Sequence, residues 1–372
     1  MRPGCRARAV STRLRAETSD TQHRPGAAVA AWADAPTTSV SASQPRTGQI
    51  VKRILVTGAA GQIGAELVPA LRARYGDDVV VASDIRPITD DRGPALVLDC
   101  TDADAVDRAV RHHDVGTIYH LAAVLSASAE RAPLRAYHLN IGTLLNVLEV
   151  ARERGCAVFT PSSIGAFGPG APRDGTPQDT IQRPTTMYGI TKVAGELLCD
   201  YYHIRYGVDT RGVRYPGLIS HSAPPGGGTT DYAVDIFHHA VRHGRYTCFL
   251  SADTQLDMMY MPDAVRAAIE LMEADPARLQ HRNAFNITAM QVTPARLADA
   301  IRKHLPGFRI EYDIDPVRQA IADSWPTRID DSAARAEWGW QPEYDLDAMT
   351  ADMLEHLSVR ADQAVGAADP PA

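Results

Sequence analysis

The chain passes from a short apolar run into a turn of three glycines at Lys52-Arg-Ile-Leu-Val-Thr-Gly-Ala-Ala-Gly-Gln-Ile-Gly64. The apolar run predicts a strand that is buried on both faces of a parallel sheet. The glycines have G-x-x-G-x-x-G spacing, and their missing side chains would let backbone N–H groups approach a pyrophosphate at the start of a helix. The stretch therefore predicts a strand, a phosphate-binding turn and a helix in succession.

Five further apolar runs follow, each separated from the next by a helical stretch or a connection. They lie at residues 79–83, 95–98, 117–120, 157–160 and 210–214. This alternation predicts an α/β fold in which a Rossmann-type, doubly wound parallel sheet carries helices on both faces. The dinucleotide-binding domain is predicted over residues 51–216.

The pattern changes after residue 216. A loop at Pro224-Pro-Gly-Gly-Gly228 precedes an amphipathic helix predicted at 232–243. We therefore predict that residues 217–357 form a smaller, mainly substrate-binding subdomain, part of which returns to the sheet. Residues 1–50 lack sustained periodicity, so we predict that they form a disordered extension. We also predict that residues 358–372 form a disordered tail.

The composition excludes several classes of protein. With 45% hydrophobic and 22% charged residues it is typical of a soluble globular chain, and no apolar run approaches the roughly 18 residues of a membrane span. The net charge is −7, which disfavours nucleic acid as a partner. The five cysteines are widely spaced without a Cys-x-x-Cys pair, so we predict a cytoplasmic protein with buried thiols and no metal site.

One acidic residue strengthens the cofactor interpretation. Asp84 lies twenty residues beyond Gly64, where a carboxylate accepts both ribose hydroxyls and repels a 2′-phosphate. NAD is therefore favoured over NADP, and the nearby Arg86 is interpreted as a solvated surface charge. Asp99 ends the third predicted strand and either bonds the adenine amine or caps a helix. The candidate cofactor-binding residues of this half are Gly58, Gly61, Gln62, Ile63, Gly64, Asp84, Ile85 and Asp99.

A second group of residues suits proton and hydride transfer. Tyr188-Gly-Ile-Thr-Lys192 opens a predicted helix, and its i, i+4 spacing places the phenol beside an ammonium that would lower its pKa from about 10. Ser163 follows a strand at the carboxyl edge of the sheet, where its hydroxyl can hold a substrate oxygen. The same helix carries a shared apolar face formed by Ile190, Val193, Ala194, Leu197 and Tyr201.

Together these residues resemble the extended short-chain dehydrogenase/reductase superfamily over about residues 51–357. Within it, the chain is similar to the short-chain-type L-threonine 3-dehydrogenases. This closer resemblance rests on Ser162-Ser-Ile-Gly-Ala-Phe-Gly-Pro169, Ile181-Gln-Arg-Pro184, Arg214-Tyr-Pro-Gly-Leu-Ile-Ser220, Pro225-Gly-Gly-Gly-Thr-Thr-Asp-Tyr-Ala233 and Asp323-Ser-Trp-Pro326.

The resemblance implies NAD-dependent oxidation of the C3 hydroxyl of L-threonine to 2-amino-3-oxobutanoate. It also implies a homodimer formed through the helices at 141–154 and 188–206. Ser126 would touch the substrate, and Asn140 would support the active-site helix. The residues implied to surround the nicotinamide are Leu121, Ala122, Ala123, Tyr215 and Pro216.

A zwitterionic substrate needs donors for its carboxylate and an acceptor for its ammonium. Gly228, Thr229 and Thr230 offer the donors, while Asp231 either holds the ammonium or caps the following helix. Trp325 is either a lid over the pocket or a core aromatic residue.

The alternative function is that of a sugar-nucleotide epimerase or dehydratase, which shares the glycines and the catalytic residues. The family's dehydratases place an acidic pair after the catalytic hydroxyl residue. Here Ser163 is followed by Ile164 and Gly165.

Overall fold

The computed structural model describes residues 52–89, 92–222 and 228–366, with side chains as far as residue 359. The predicted extension at 1–50 and the last part of the predicted tail, 367–372, lie outside these residues. The strands are β1 (Arg53–Thr57), β2 (Val80–Asp84), β3 (Ala95–Val97), β4 (Val115–His120), β5 (Ala157–Phe159), β6 (Ser162–Ser163), β7 (Asp174–Thr176), β8 (Thr210–Arg211), β9 (Val213–Tyr215), β10 (Gly217–Ile219), β11 (Arg245–Cys248), β12 (Leu256–Tyr260), β13 (Phe285–Asn286), β14 (Met290–Val292), β15 (Arg309–Tyr312) and β16 (Arg328–Ile329).

Helices separate most of these strands, as the alternating sequence pattern predicts. They are α1 (Gly64–Tyr75), α2 (Ala103–His112), α3 (Ser126–Arg131), α4 (Pro133–Arg154), α5 (Met187–Tyr206), α6 (Tyr232–His243), α7 (Met261–Glu273), α8 (Pro294–His304), α9 (Pro316–Asp323), α10 (Ser332–Trp338) and α11 (Leu346–Gly366). None of the described helices is long and apolar enough to cross a membrane.

The main sheet has six parallel strands in the order β3-β2-β1-β4-β5-β8. A Rossmann fold has the strand order 3-2-1-4-5-6, and β8 is the sixth strand of this sheet along the chain. The predicted fold class is therefore confirmed. Thr57 pairs with Ser83 on one side and with His120 on the other, so β1, β2 and β4 end together. Their carboxyl ends meet beside the point where the strand order reverses, which is where ligands bind in such sheets.

The sheet is covered on both faces. Leu55 of β1 belongs to a buried cluster with side chains of α2, α4 and α5. Its neighbours Ile54 and Val56 point the other way, into a cluster with side chains of α1 and α7. Because alternate side chains of a strand point to opposite faces, the apolar run is explained by burial on both faces.

The C-terminal part has a core of its own, built from α6, α8, α11 and the small sheet β10-β12-β14. Helix α6 has the predicted bounds, 232–243. Helix α7 lies against α1, so this part also returns to the main sheet. The division at residue 216 stays a prediction. Helix α11 continues to Gly366, past residue 358 where the tail is predicted to begin.

The apolar face of α5 lies on the surface of the protein and not in its core. Leu197 is 62% exposed, and Ile190 and Tyr201 are exposed as well. The buried face instead carries small and polar residues, among them Gly195, whose added Cβ would lie 3.1 Å from Leu144 Cδ2 of α4. Close approach of α4 thus selects the small-residue face, and the apolar face is left on the surface.

Candidate active site

A cleft opens at the carboxyl edge of the main sheet and brings together most of the predicted site residues. The described residues that line it are Gly58, Gly61, Gln62, Ile63, Gly64, Leu121, Ala123, Leu125, Ser126, Pro161, Ser162, Ser163, Ile164, Tyr188, Lys192, Tyr215, Pro216, Gly217, Leu218, Gly228, Thr230, Asp231 and Trp325. The predicted phosphate turn, the catalytic group and the substrate loop therefore share one cavity.

The glycine turn is tight for a steric reason. Gly58 has a φ of 72°, in the left-handed region, and an added Cβ would lie 2.8 Å from the backbone nitrogen of Ala122. At Gly64 an added Cβ would lie 2.6 Å from Ala59 Cα. Side chains are excluded at both positions, so the start of α1 can present its backbone N–H groups to the cleft.

Asp84 ends β2 beside this turn and is buried. Its carboxylate accepts hydrogen bonds from the backbone nitrogens of Ala60 and Arg86, each at 3.1 Å, and from Arg86 Nε at 3.2 Å. An ionised carboxylate has about four acceptor positions, which leaves capacity for a ligand hydroxyl. Arg86 is not simply solvated, because its guanidinium also donates to the Ala60 carbonyl at 2.9 Å. Ile85 between them is exposed.

Asp99 is exposed, and it closes a turn before α2. Its Oδ1 accepts from the backbone nitrogen of Thr101 at 2.9 Å and from the Thr101 hydroxyl at 2.7 Å. These bonds hold the pKa of Asp99 below its usual value. The cap of α2 is Asp102, which accepts from the Ala105 nitrogen at 3.0 Å, so the capping alternative fails for Asp99. The adenine contact stays a prediction.

The catalytic group is set by the first turn of α5. Thr186 caps the helix by accepting a hydrogen bond from Gly189 N at 3.1 Å, which places Tyr188 in the first turn with its side chain buried. The Ser163 hydroxyl interacts with the Tyr188 phenol and lowers its pKa. An added Cβ on Gly165 would lie 3.2 Å from the phenol ring, so a side chain there would displace Tyr188. Sequence reasoning did not predict this role for Gly165.

Lys192 lies one turn further along α5. Its Nζ is 5.5 Å from the Tyr188 ring centroid and donates to the Pro161 carbonyl at 2.7 Å. Burial lowers the pKa of Lys192 to about 8. Burial raises the pKa of Tyr188, and the Ser163 hydroxyl opposes this rise. In the protein alone, burial therefore outweighs the predicted lowering of the phenol pKa by Lys192.

Asn140 of α4 joins two parts of the site. Its Oδ1 accepts from Val124 N at 2.7 Å, and its Nδ2 donates to the Thr191 hydroxyl of α5 at 3.1 Å. It thus fixes the loop after β4 against the helix that carries Tyr188. Asn140 and Ala122 line a smaller cavity behind the cleft, whereas Leu121 and Ala123 line the cleft itself.

The substrate end of the cleft differs in part from the prediction. Thr229 is fully buried, and its hydroxyl lies 3.4 Å from that of Ser126, so it anchors the loop beneath the cleft surface. Asp231 precedes α6 without a side-chain capping bond, and its Oδ2 accepts from Gly228 N at 2.8 Å. Trp325 is buried in the C-terminal core and also lines the cleft, and its role as a lid stays a prediction.

Sequence reasoning missed a buried ion pair behind the catalytic group. Glu196 lies one turn beyond Lys192, and its carboxylate accepts from Arg214 Nη2 at 2.9 Å and from Nε at 3.1 Å. It also accepts from the hydroxyl of Ser162, the residue before Ser163. The i, i+4 spacing from Lys192 was the only sequence signal for Glu196.

Comparison with known proteins identifies the relatives of this chain. Residues 54–288 match the NAD dependent epimerase/dehydratase family. An uncharacterised epimerase/dehydratase from Staphylococcus saprophyticus is 57% identical over 284 residues, which are 75% of this chain and 89% of that protein.

Two solved structures are similar over most of the chain. An L-threonine dehydrogenase from Clostridium difficile is 55% identical with a TM-score of 0.82, covering 84% of this chain and 99% of that one. A monomeric L-threonine 3-dehydrogenase from a metagenome is 44% identical with a TM-score of 0.80, covering 82% and 99%. With the matched residues and the site they form, the chain belongs to the NAD-dependent epimerase/dehydratase family.

Proposed function

We propose that this protein is an NAD-dependent L-threonine 3-dehydrogenase, which oxidises the C3 hydroxyl of L-threonine to 2-amino-3-oxobutanoate. The observation that carries the proposal is the single cleft in which Tyr188 and Ser163 face the loop around Asp231. A 55% identical structure of an L-threonine dehydrogenase supports it.

The residues of the cleft fit NAD. The glycine turn excludes side chains where a pyrophosphate would lie, and Asp84 has acceptor capacity for ribose hydroxyls. Tyr215 and Pro216 would form the wall behind the nicotinamide, and Lys192 would hold its ribose. The cofactor would supply an acceptor for the hydride that leaves C3.

Tyr188 acts as the base for the C3 hydroxyl, and Ser163 holds the same oxygen through the transfer. The phenol must lose its proton although burial raises its pKa, so positive charge close to it is required. Lys192 supplies that charge while it stays protonated, which its pKa of about 8 permits at neutral pH.

The substrate is a small zwitterion held at the loop end of the cleft. Asp231 is buried and lines the cleft, which supports its role as acceptor for the ammonium. The Thr230 and Ser126 hydroxyls lie on the same cleft and would hold the carboxylate.

An absorbance assay tests the proposed reaction. L-Threonine with NAD should give net NADH, measured by absorbance of the nicotinamide. A sugar-nucleotide epimerase, the alternative within this family, returns the hydride to its substrate and gives no net signal with UDP-glucose. Turnover of UDP-glucose without NADH formation from threonine would contradict the proposal.

Asp231→Asn should raise KM for threonine by about 10- to 100-fold, because a hydrogen bond to a charged group contributes about 1.5–3 kcal/mol. The measurement is steady-state kinetics at saturating NAD. Asp235→Asn is the matched control, since Asp235 lies one turn further along α6 and lines a different surface pocket. An unchanged KM in Asp231→Asn would assign Asp231 a purely structural role.

Asp84→Ser should raise the preference for NADP over NAD by about 10- to 100-fold in kcat/KM. The change removes the carboxylate that repels a 2′-phosphate and releases Arg86 from its 3.2 Å ion pair. The readout is the ratio of kcat/KM for the two cofactors. Adding Arg86→Ala to Asp84→Ser should abolish the gain; a gain that survives this second change would show that Arg86 takes no part.

We further propose a homodimer that covers the apolar face of α5. Exposed apolar side chains lie on α5 and on the start of α4, including Leu134, Leu197 and Ile204, which is 83% exposed. Ile204→Asp should therefore convert a dimer to a monomer in light scattering. Val317→Asp on α9 is the control, because Val317 is exposed and apolar but lies elsewhere. A wild-type monomer would refute the dimer.

We also assign the protein to the cytoplasm. The four described cysteines, Cys100, Cys156, Cys199 and Cys248, are buried free thiols. Free thiols suit a reducing compartment.

A further inference from the structure

Three potential metal ligands meet away from the cleft lining. One ligand atom each from His221, Asp352 and His356 lies within 4.8 Å of the other two. His221 follows β10, and the other two residues lie on α11. More than a hundred residues separate His221 from Asp352, so the sequence spacing could not reveal this cluster.

The two ligands on α11 share a helix face. Asp352 and His356 are four residues apart, and His356 Nε2 lies 3.8 Å from Asp352 Oδ1. The His221 ring stacks on the His356 ring, with centroids 3.9 Å apart and planes 5° from parallel.

A third residue orients the ligands. The Tyr260 hydroxyl donates to Asp352 Oδ2 at 2.5 Å and lies 2.9 Å from His221 Nδ1. A phenol has one proton to donate, so its oxygen accepts from the His221 Nδ1–H. The lone pair of neutral His221 is then on Nε2. A histidine that donates one ring N–H to a fixed acceptor and offers the other nitrogen is the usual arrangement around bound metals.

The surrounding charge favours a cation. Asp352 contributes a carboxylate, and Glu66 lies close by, since it accepts a hydrogen bond from Ser220, the residue before His221. Two imidazoles with one carboxylate suit zinc and similar transition metals, whereas calcium and magnesium prefer oxygen ligands alone.

We propose that His221, Asp352 and His356 bind a divalent transition-metal ion of the zinc type, with water completing its coordination. Zinc–nitrogen bonds of about 2.0–2.1 Å place tetrahedral ligand atoms roughly 3.4 Å apart. The ligand atoms, which lie up to 4.8 Å apart, must therefore approach by up to about 1.4 Å, and one ring must leave the stack, because parallel rings cannot both direct an in-plane lone pair at one ion. His356, half exposed on α11, can rotate to supply both movements.

The ion would join two separate parts of the fold. His221 lies just after β10, and α11 is the last described helix. A bound ion would tie the end of β10 to α11. The site is a stabilising link outside the reacting group, and it does not depend on the proposed function.

Zinc titration of the untagged full chain, stripped with EDTA, tests the site. We expect one equivalent bound in competition with a chromophoric chelator, together with a higher Tm. His356→Gln should weaken binding by at least about tenfold, and Tyr260→Phe, which removes only the orienting hydroxyl, by about 10- to 100-fold.

His304→Gln is the matched control, because His304 is an exposed histidine at the end of α8. It should bind zinc as the wild type does. Binding of less than one equivalent by the wild type would overturn the proposal. The proposal would also be overturned if His356→Gln and Tyr260→Phe bound zinc as tightly as the wild type and the control, since the zinc would then be bound elsewhere.

Discussion

Replacing Tyr188 with Phe should lower kcat for threonine oxidation by about 10²- to 10⁴-fold, the usual contribution of a positioned acid or base. The affinity for NAD should stay nearly unchanged, because the ring remains in place and only the hydroxyl is lost. Tyr188 is buried beside Ser163, and the cleft brings both residues to the proposed C3 hydroxyl. The variant keeps Ser163 and Lys192 in the cleft but loses the hydroxyl that takes the proton.

The measurement pairs steady-state kinetics with NAD binding followed by fluorescence. Tyr201→Phe is the matched control, since Tyr201 lies on the same helix with an exposed side chain outside the cleft lining. It should keep wild-type kcat. If Tyr188→Phe retained full activity, Tyr188 would not be the base, and an equal loss in both variants would indicate damage to α5 instead.

Lys192 gives this prediction a pH dependence. Burial lowers its pKa to about 8, so the ammonium that stabilises the phenolate is lost as the pH rises through that value. Deprotonation of Tyr188 acts in the opposite direction, because activity requires the phenol to lose its proton. Wild-type kcat/KM should therefore pass through a maximum, and Tyr188→Phe should lose the acidic limb assigned to the phenol.

The sequence predicted those features that depend on neighbouring residues. The glycine turn, its strand and its helix form one continuous stretch, and Asp84 lies at the end of the next strand, so local patterns placed them correctly. The spacing of Tyr188 and Lys192 within a single helix could likewise be predicted from the sequence. Backbone geometry over a few residues decides each of these features.

Features that depend on distant partners were predicted less well. The sequence showed that α5 has an apolar face, but not that α4 packs on the small-residue face and leaves the apolar face exposed. Thr229 was expected in the pocket, yet its hydroxyl lies beside that of Ser126, about a hundred residues away. Periodicity shows that a face is apolar, but which neighbour covers it depends on tertiary packing.

Glu196→Gln should have the largest effect on stability, lowering the free energy of unfolding by about 3–5 kcal/mol. Both Glu196 and Arg214 are buried, and the change would leave the guanidinium without its counter-charge. Arg214 also donates to the Gln178 carbonyl at 2.9 Å and to Asn286 Oδ1 at 3.1 Å. These neutral acceptors satisfy hydrogen bonds, but they cannot replace the missing charge.

Urea unfolding of wild type, Glu196→Gln and the double variant Glu196→Gln/Arg214→Met measures this effect. The double variant removes both charges, and replacing a whole buried pair costs far less than breaking it, so it should regain much of the lost stability. A single variant as stable as wild type would show that water reaches the pair. The Ser162 hydroxyl donates to Glu196, and Ser162 directly precedes Ser163. The folded Glu196→Gln variant should therefore also have a lower kcat, with an unchanged KM for NAD. A lower kcat together with a higher KM for NAD would instead point to partial unfolding of the cleft.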